Sequence, residues 1–192
     1  MVEVSTALTG TADSVTYELV DAEGQVLATA EGLGTVQLAA NGITPWTPET
    51  PALYTLRVTV TANGTADTAE QRIGIRTIQV NSETGLLLNG QPRTMKGGCI
   101  HHDHGVLGAC EYQDAEERRI RILKESGFNA VRMAHNPASQ TTLEICDRLG
   151  MYVMNETFDG WYIPKTYHDY SRWFETDWRS DVTAMVESSR NH

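Results

Sequence analysis

The chain has 192 residues, of which 40% are hydrophobic and 21% charged, and a formal net charge of −10. This is the balance of a folded protein, and it argues against a nucleic-acid partner, because phosphate binding needs clustered Lys and Arg. No apolar run approaches the ~20 residues of a membrane-spanning helix, so no membrane association is expected either.

From Val2 to about Ile78 the sequence is a series of short strand patterns broken by turns. VTYELV (15–20) alternates apolar and polar residues as a half-buried strand does, and DAEG (21–24) follows as a turn. QVLATAE and GTVQLAA are two further segments. NGITPWTPETPALY then takes an extended path fixed by Pro45, Pro48 and Pro51, with Trp46 read as a packing anchor. LYTLRVTVTA (53–62) is the clearest strand: Tyr54, Leu56, Val58 and Val60 share its apolar side. Asn63-Gly64 is a hairpin signal, and the chain returns through DTAEQRIGIRT. Short strands at this spacing predict an immunoglobulin-like β-sandwich over residues 1–78.

After Ile78 the pattern changes to alternating strands and helices. LLLNGQPRTMKGGCIHH holds an Asn89-Gly90 hairpin and then an apolar strand. DAEERRIRILKESG (114–127) reads as a helix capped by Asp114, with Ile120 and Leu123 on one face. FNAVRMAHNP is a buried strand, ASQTTLEICDRLG a helix closed by Gly150, and MYVMNETFDGW a third strand. FETDWRSDVTAMVESSRN is a third helix. Alternating βα units predict a parallel sheet, here about three units of an incomplete (β/α)8 TIM barrel over residues 79–192. Such a sheet leaves a strand edge and apolar surface uncovered, so self-association is expected.

The candidate site residues stand where each apolar strand turns polar, which is where β/α barrels assemble their active sites. The first strand ends in His101, His102, Asp103 and His104. Three histidines and an aspartate invite a metal, but neighbouring strand residues point to opposite faces, so at most His101 and Asp103, or His102 and His104, converge, short of the three or four ligands a zinc site wants. Hydrogen bonding to sugar hydroxyls is the preferred reading, and no metal or cofactor is expected. The second strand ends in Arg132, His135 and Asn136. Regular alternation keeps Arg132 and His135 on different faces, and Arg132 is expected to pair with Glu156. The third strand ends in Glu156, Asp159 and Trp161. Glu156 and Asp159 are too close in one loop to flank a sugar as an acid/base and nucleophile pair.

Cys99, Cys110 and Cys146 are widely spaced and odd in number, without metal-ligand or disulfide spacing, and are read as reduced thiols. The N-terminus MVEVSTALTG has no basic region followed by an apolar core, which gives a cytoplasmic expectation. It opens directly in strand-like sequence, as a piece of a longer chain would.

Taken in order, PWTPETPALYTLRVTV, GLLLNGQPRTMKGGCIHHDHG, ILKESGFNAVRMAHNPAS, CDRLGMYVMNETFDGW and SSRNH resemble glycoside hydrolase family 2. The resemblance implies a retaining hydrolase of terminal β-linked sugars, most similar to a β-galactosidase, of which this chain is an inactive fragment. It places both catalytic glutamates beyond His192. It makes His135 a sugar contact, and Arg132, Glu156 and the 101–103 stretch pocket-lining positions. Thr157-Phe158-Asp159-Gly160-Trp161 departs from the magnesium-binding stretch of the well-known bacterial β-galactosidases, so that metal site is not carried over. Asn155 stands where an Asp is common. The alternatives are a β-glucuronidase or β-mannosidase parent, or a non-catalytic module binding carbohydrate or a partner chain. A third is a small hydrolase using Glu156 and Asp159.

Overall fold

Alternating apolar residues build the first part of the chain into two antiparallel sheets in the computed structural model, which describes residues 1–192. The strands are β1 (Val2–Ser5), β2 (Ser14–Val20), β3 (Val26–Glu31), β4 (Thr35–Leu38), β5 (Leu53–Ala62) and β6 (Thr65–Gly74). One sheet pairs β1 with β4, and the other runs β3-β2-β5-β6. Val15, Tyr17 and Leu19 of β2, Val4 of β1, Val36 and Leu38 of β4 and Tyr54 of β5 form one core. Leu56, Val58 and Val60 pack on it, as their alternation predicts. The polar face of β5 carries Arg57, which bridges Glu18 at 3.1 Å and Glu70 at 2.7 Å. Asn63 and Gly64 turn β5 into β6 with φ of 50° and 75°, the two positive values that a tight two-residue hairpin requires. Trp46 is buried; its ring lies 3.2 Å from where a Cβ on Gly74 would sit, and the Arg76 guanidinium lies 5.9 Å above it.

The chain divides into two compact units, Met1–Trp46 with Ala52–Arg76, and Thr47–Pro51 with Thr77–His192. The short excursion at 47–51 is not visible in the sequence. It is held by Lys124, whose Nζ donates to the Pro48 carbonyl at 2.6 Å and to the Gly150 carbonyl at 2.7 Å. Partial burial lowers the pKa of this ammonium.

The second unit opens with a small antiparallel sheet, β7 (Ile78–Asn81), β8 (Gly85–Leu88) and β9 (Gln91–Pro92). It continues as β10 (Gly97–Ile100), α1 (Gln113–Glu125), β11 (Ala130–Met133), α2 (Gln140–Leu149), β12 (Tyr152–Met154) and α3 (Ser171–Ser189). β10, β11 and β12 form a parallel sheet in that order, with β11 central. Val131 and Met133 pack with Ile120 of α1 and Ile145 and Cys146 of α2, and Leu123 packs against the same cluster. Arg132 lies between them in sequence and so projects from the opposite face of the strand. β10 reaches β11 closely: a Cβ on Gly97 would lie 2.3 Å from the Ala130 carbonyl oxygen.

Two helix starts differ from expectation. Tyr112, without a side-chain cap, precedes α1, and Asp114 lies inside its first turn, where a carboxylate still favours the helix dipole. α3 begins at Ser171 rather than Phe174, because Asp169 accepts hydrogen bonds from the Ser171 amide (3.1 Å) and hydroxyl (2.5 Å) and nucleates the turn earlier. α2 starts where Ser139 Oγ accepts from the Thr142 amide at 3.1 Å.

Candidate functional site

The C-terminal ends of β11 and β12 bring four charged or titratable side chains into one cluster. Glu156, two residues past β12, is its centre. Arg132 Nε donates to Glu156 Oε1 at 2.5 Å, with Nη2 on the same oxygen, and His135 Nδ1 lies 2.9 Å from Oε2. The expected Arg132–Glu156 pair is therefore present. The expectation that Arg132 and His135 stay apart is not met, because β11 ends at Met133 and strand alternation no longer governs residue 135. Hydrogen bonding from His135 first, then from Arg132, holds the Glu156 carboxyl below the usual carboxylate range, with desolvation opposing.

A carboxylate only accepts, so the contact with Glu156 fixes the proton of a neutral His135 on Nδ1 and leaves a lone pair on Nε2. Arg132 Nη2 also stands 3.5 Å from Nδ1, a contact that a protonated Nδ1 cannot accept; the shorter Glu156 contact decides the tautomer. On the far side of the ring, Nε2 lies 3.9 Å from Asp159 Oδ1. The same Asp159 oxygen accepts from Lys165 Nζ at 2.7 Å, and that bond is the main reason its carboxyl titrates below the usual range. His101 stands edge-on to His135 with ring centroids 5.5 Å apart.

Not all the expected residues join this cluster. His102 turns to the other side of its segment, with Nδ1 2.8 Å from Glu111 Oε1, while His104 Nε2 lies 2.9 Å from the fully buried Glu116. Arg119 locks the same loop, donating to the carbonyls of His101 (2.8 Å) and Asp103 (3.0 Å) and to Glu116 Oε2 (2.5 Å). These contacts give His102 and His104 a role in holding the loop that follows β10. The Asp103 carboxylate is exposed and 3.5 Å from Arg119. Asn136 is exposed and lines a groove of about 490 Å³ with Pro137 and the side of α3 that bears Asp181 and Met185.

Trp161 is 62% exposed and stacks on Phe174, with centroids 5.7 Å apart. Together with Glu156, Phe158, Tyr162 and Trp178 these rings line a cavity of about 460 Å³. The loop carrying Phe158, Trp161 and Tyr162 is pinned by Asp169, which accepts from the Lys165 and Thr166 amides at 2.5 and 3.0 Å. Its pKa is drawn to about 2, first by the Ser171 hydroxyl and then by the Thr166 amide.

Two contacting residues were not singled out from sequence. Lys165 lies in an aromatic-rich loop whose path the sequence does not set. Cys99 lies directly across the parallel ladder from Arg132, and Arg132 Nη1 donates to its Sγ at 2.9 Å. This bond, ahead of the one to Glu156, raises the pKa of the guanidinium. The available signal was register: once β10 and β11 are aligned, residues 99 and 132 are neighbours on one face.

Comparison with known proteins follows the same division of the chain. The pattern described as "Glycosyl hydrolases family 2, TIM barrel domain" matches residues 78–190, and that described as "Glycosyl hydrolases family 2" matches residues 2–76. A protein named Beta-galactosidase BoGH2A from Bacteroides ovatus is 38% identical over 190 residues, covering 93% of this chain and 22% of its own length. A putative beta-glucuronidase from Formosa agariphila is 34% identical over 182 residues, covering 91% of this chain and 18% of its own. The chain thus spans about a fifth of these relatives. The crystal structure of a glycosyl hydrolase family 2 member from Bacteroides cellulosilyticus superposes with a TM-score of 0.87 at 38% identity, over 93% of this chain and 24% of that one.

Proposed function

Because this chain belongs to family 2 of the glycosyl hydrolases, we propose that it supplies one wall of the sugar pocket of a retaining β-glycosidase whose substrate is a terminal β-galactoside. The observation that carries this reading is the His135–Glu156–Arg132 arrangement at the ends of parallel strands. Glu156 orients the imidazole, and Nε2 is left to accept a hydrogen bond from a sugar hydroxyl. His101, edge-on beside it, and Trp161, exposed at the rim, supply a further polar group and a flat apolar face of the kind sugar rings stack on.

A neutral sugar fits this wall better than a uronic acid does. Arg132 is committed to Glu156 and Cys99, and Lys165 to Asp159, so the two cations are already matched by two carboxylates. A sugar carboxylate needs an uncommitted cation. The β-glucuronide alternative is kept because one relative carries the name of a putative beta-glucuronidase.

Glu156 and Asp159 are assigned to binding, not bond cleavage. A general acid working near neutrality needs a raised carboxyl pKa, whereas both of these are lowered. They also address the two nitrogens of a single imidazole, whereas a retaining pair must flank the sugar. Neither carboxylate is therefore assigned as the acid/base or the nucleophile. The 192-residue chain, assayed against a panel of nitrophenyl β-glycosides, is expected to show no turnover. Turnover that survives repurification and disappears in Glu156→Gln overturns this assignment. In an enzyme that contains this chain, hydrolysis of the galactoside is expected to exceed that of the glucuronide, and the reverse order selects the uronic-acid reading.

A further inference from the structure

Arg132 has two edges, and only one of them faces Glu156. Nε and Nη2 donate to that carboxylate, while Nη1 points along the sheet to Cys99 Sγ at 2.9 Å. Resting on the sugar-pocket reading above, we propose that Cys99 is a positioning residue of this site, holding the guanidinium in the plane in which it grips Glu156.

β10 and β11 pair with Cys99 opposite Arg132, so the two side chains leave neighbouring strands on the same face. The guanidinium is a rigid planar fork, so an acceptor at Nη1 fixes the plane that also contains Nε and Nη2. A thiol sulfur is a weak acceptor, so its contribution lies in direction more than in energy. No other side chain along β10 can substitute: Gly97 and Gly98 have none, and that of Ile100 has no polar atom. Glu156 in turn sets the tautomer of His135. The chain of contacts therefore runs from Cys99 through Arg132 and Glu156 to the imidazole nitrogen offered to the sugar. Cys146 differs from Cys99 in kind: it is buried in the α2 core, and burial drives its thiol far above the ordinary range.

The test follows the Glu156 carboxyl and the His135 ring by NMR in the 192-residue chain across an acid titration. In Cys99→Ala the Glu156 midpoint is expected to move up towards the ordinary carboxylate range and the His135 signals to shift, with thermal stability near that of the unsubstituted chain. Cys99→Ser keeps an acceptor at the same place and is expected to restore both signals. A space-filling role alone predicts no recovery in serine beyond that in alanine, and an unmoved Glu156 midpoint in Cys99→Ala overturns the proposal. If Cys99→Ala does not fold, iodoacetamide alkylation of a Cys110→Ser chain, in which Cys99 is the one exposed thiol, gives a second readout. The sulfur forms a bond to the methylene carbon, iodide leaves, the thiol proton passes to buffer, and the Glu156 midpoint is expected to rise. A separate arm adds galactose to the unsubstituted chain and monitors His135. A Glu156 shift in Cys99→Ala without any response of His135 to galactose leaves the positioning role standing and removes the sugar reading. The opposite pair of results does the reverse.

Discussion

Glu156 is held by two side chains from one neighbouring strand end, and the sign of its pKa shift turns that geometry into a prediction. Its carboxyl is stabilised as the anion, principally by His135 and then by Arg132. A carboxylate whose folded pKa lies below its unfolded value adds stability at pH values above the unfolded pKa, and that stability is lost as pH falls through the folded value. Glu156→Gln removes the titrating group, so thermal midpoints measured from neutral pH down to pH ~3 are expected to fall less steeply in the variant than in the unsubstituted chain. At neutral pH the variant is the less stable of the two, since Arg132 and His135 lose their charged partner. Parallel curves for the two proteins remove Glu156 as the anchor of the cluster. The sequence made part of this site legible: Arg132 and Glu156 stand at adjacent strand ends with opposite charge. Period-two alternation does not place His135, which lies two residues past the end of β11. Lys165 and Cys99 were missed because their contacts depend on a loop path and on inter-strand register.

At the scale of elements, α2 shows how local chemistry and long-range packing fall on one residue. Its start is a serine cap and its end is Gly150 with φ of 75°. Gly150 also lies beneath the 47–51 excursion, and a Cβ there would approach the Pro48 carbonyl oxygen to 2.3 Å. Gly150→Ala therefore meets two penalties, a left-handed backbone with a side chain and a collision with backbone that Lys124 holds in place. The first alone costs about 1–2 kcal/mol. Urea unfolding is expected to show a loss of at least that size, and a loss well below ~1 kcal/mol means the excursion moves away freely. The helix end was readable from Gly150 as a terminator. The second demand on it was not, because NGITPWTPETPALY specifies an extended path through its prolines but not the surface it lies on.

At the scale of the whole molecule, the alternation of apolar strands and amphipathic helices was enough to specify a sandwich followed by parallel βα units, since burial on one or two faces dictates the period. What that pattern leaves open is the sheet's edges. β10 and β12 each have a single neighbour, β11, so each presents unpaired backbone groups on its other side. In the segment after β12, Trp161 and Tyr162 line a cavity with Phe174 and Trp178, and the next residue, Ile163, is 82% exposed. Unpaired edges and clustered exposed apolar side chains each favour further association, although strands of three and four residues limit how far pairing can extend. The chain is therefore expected to self-associate with rising concentration in sedimentation velocity and to bind an apolar fluorescent dye. Ile163→Lys places a charge on the exposed apolar segment without touching the Glu156 cluster, and it is expected to reduce both signals. Association that persists unchanged in Ile163→Lys assigns the contact to the strand edges or to another surface. A species that stays at the 21.2 kDa of one chain at every concentration, with no dye bound, shows that the edges and the aromatic cavity do not drive association.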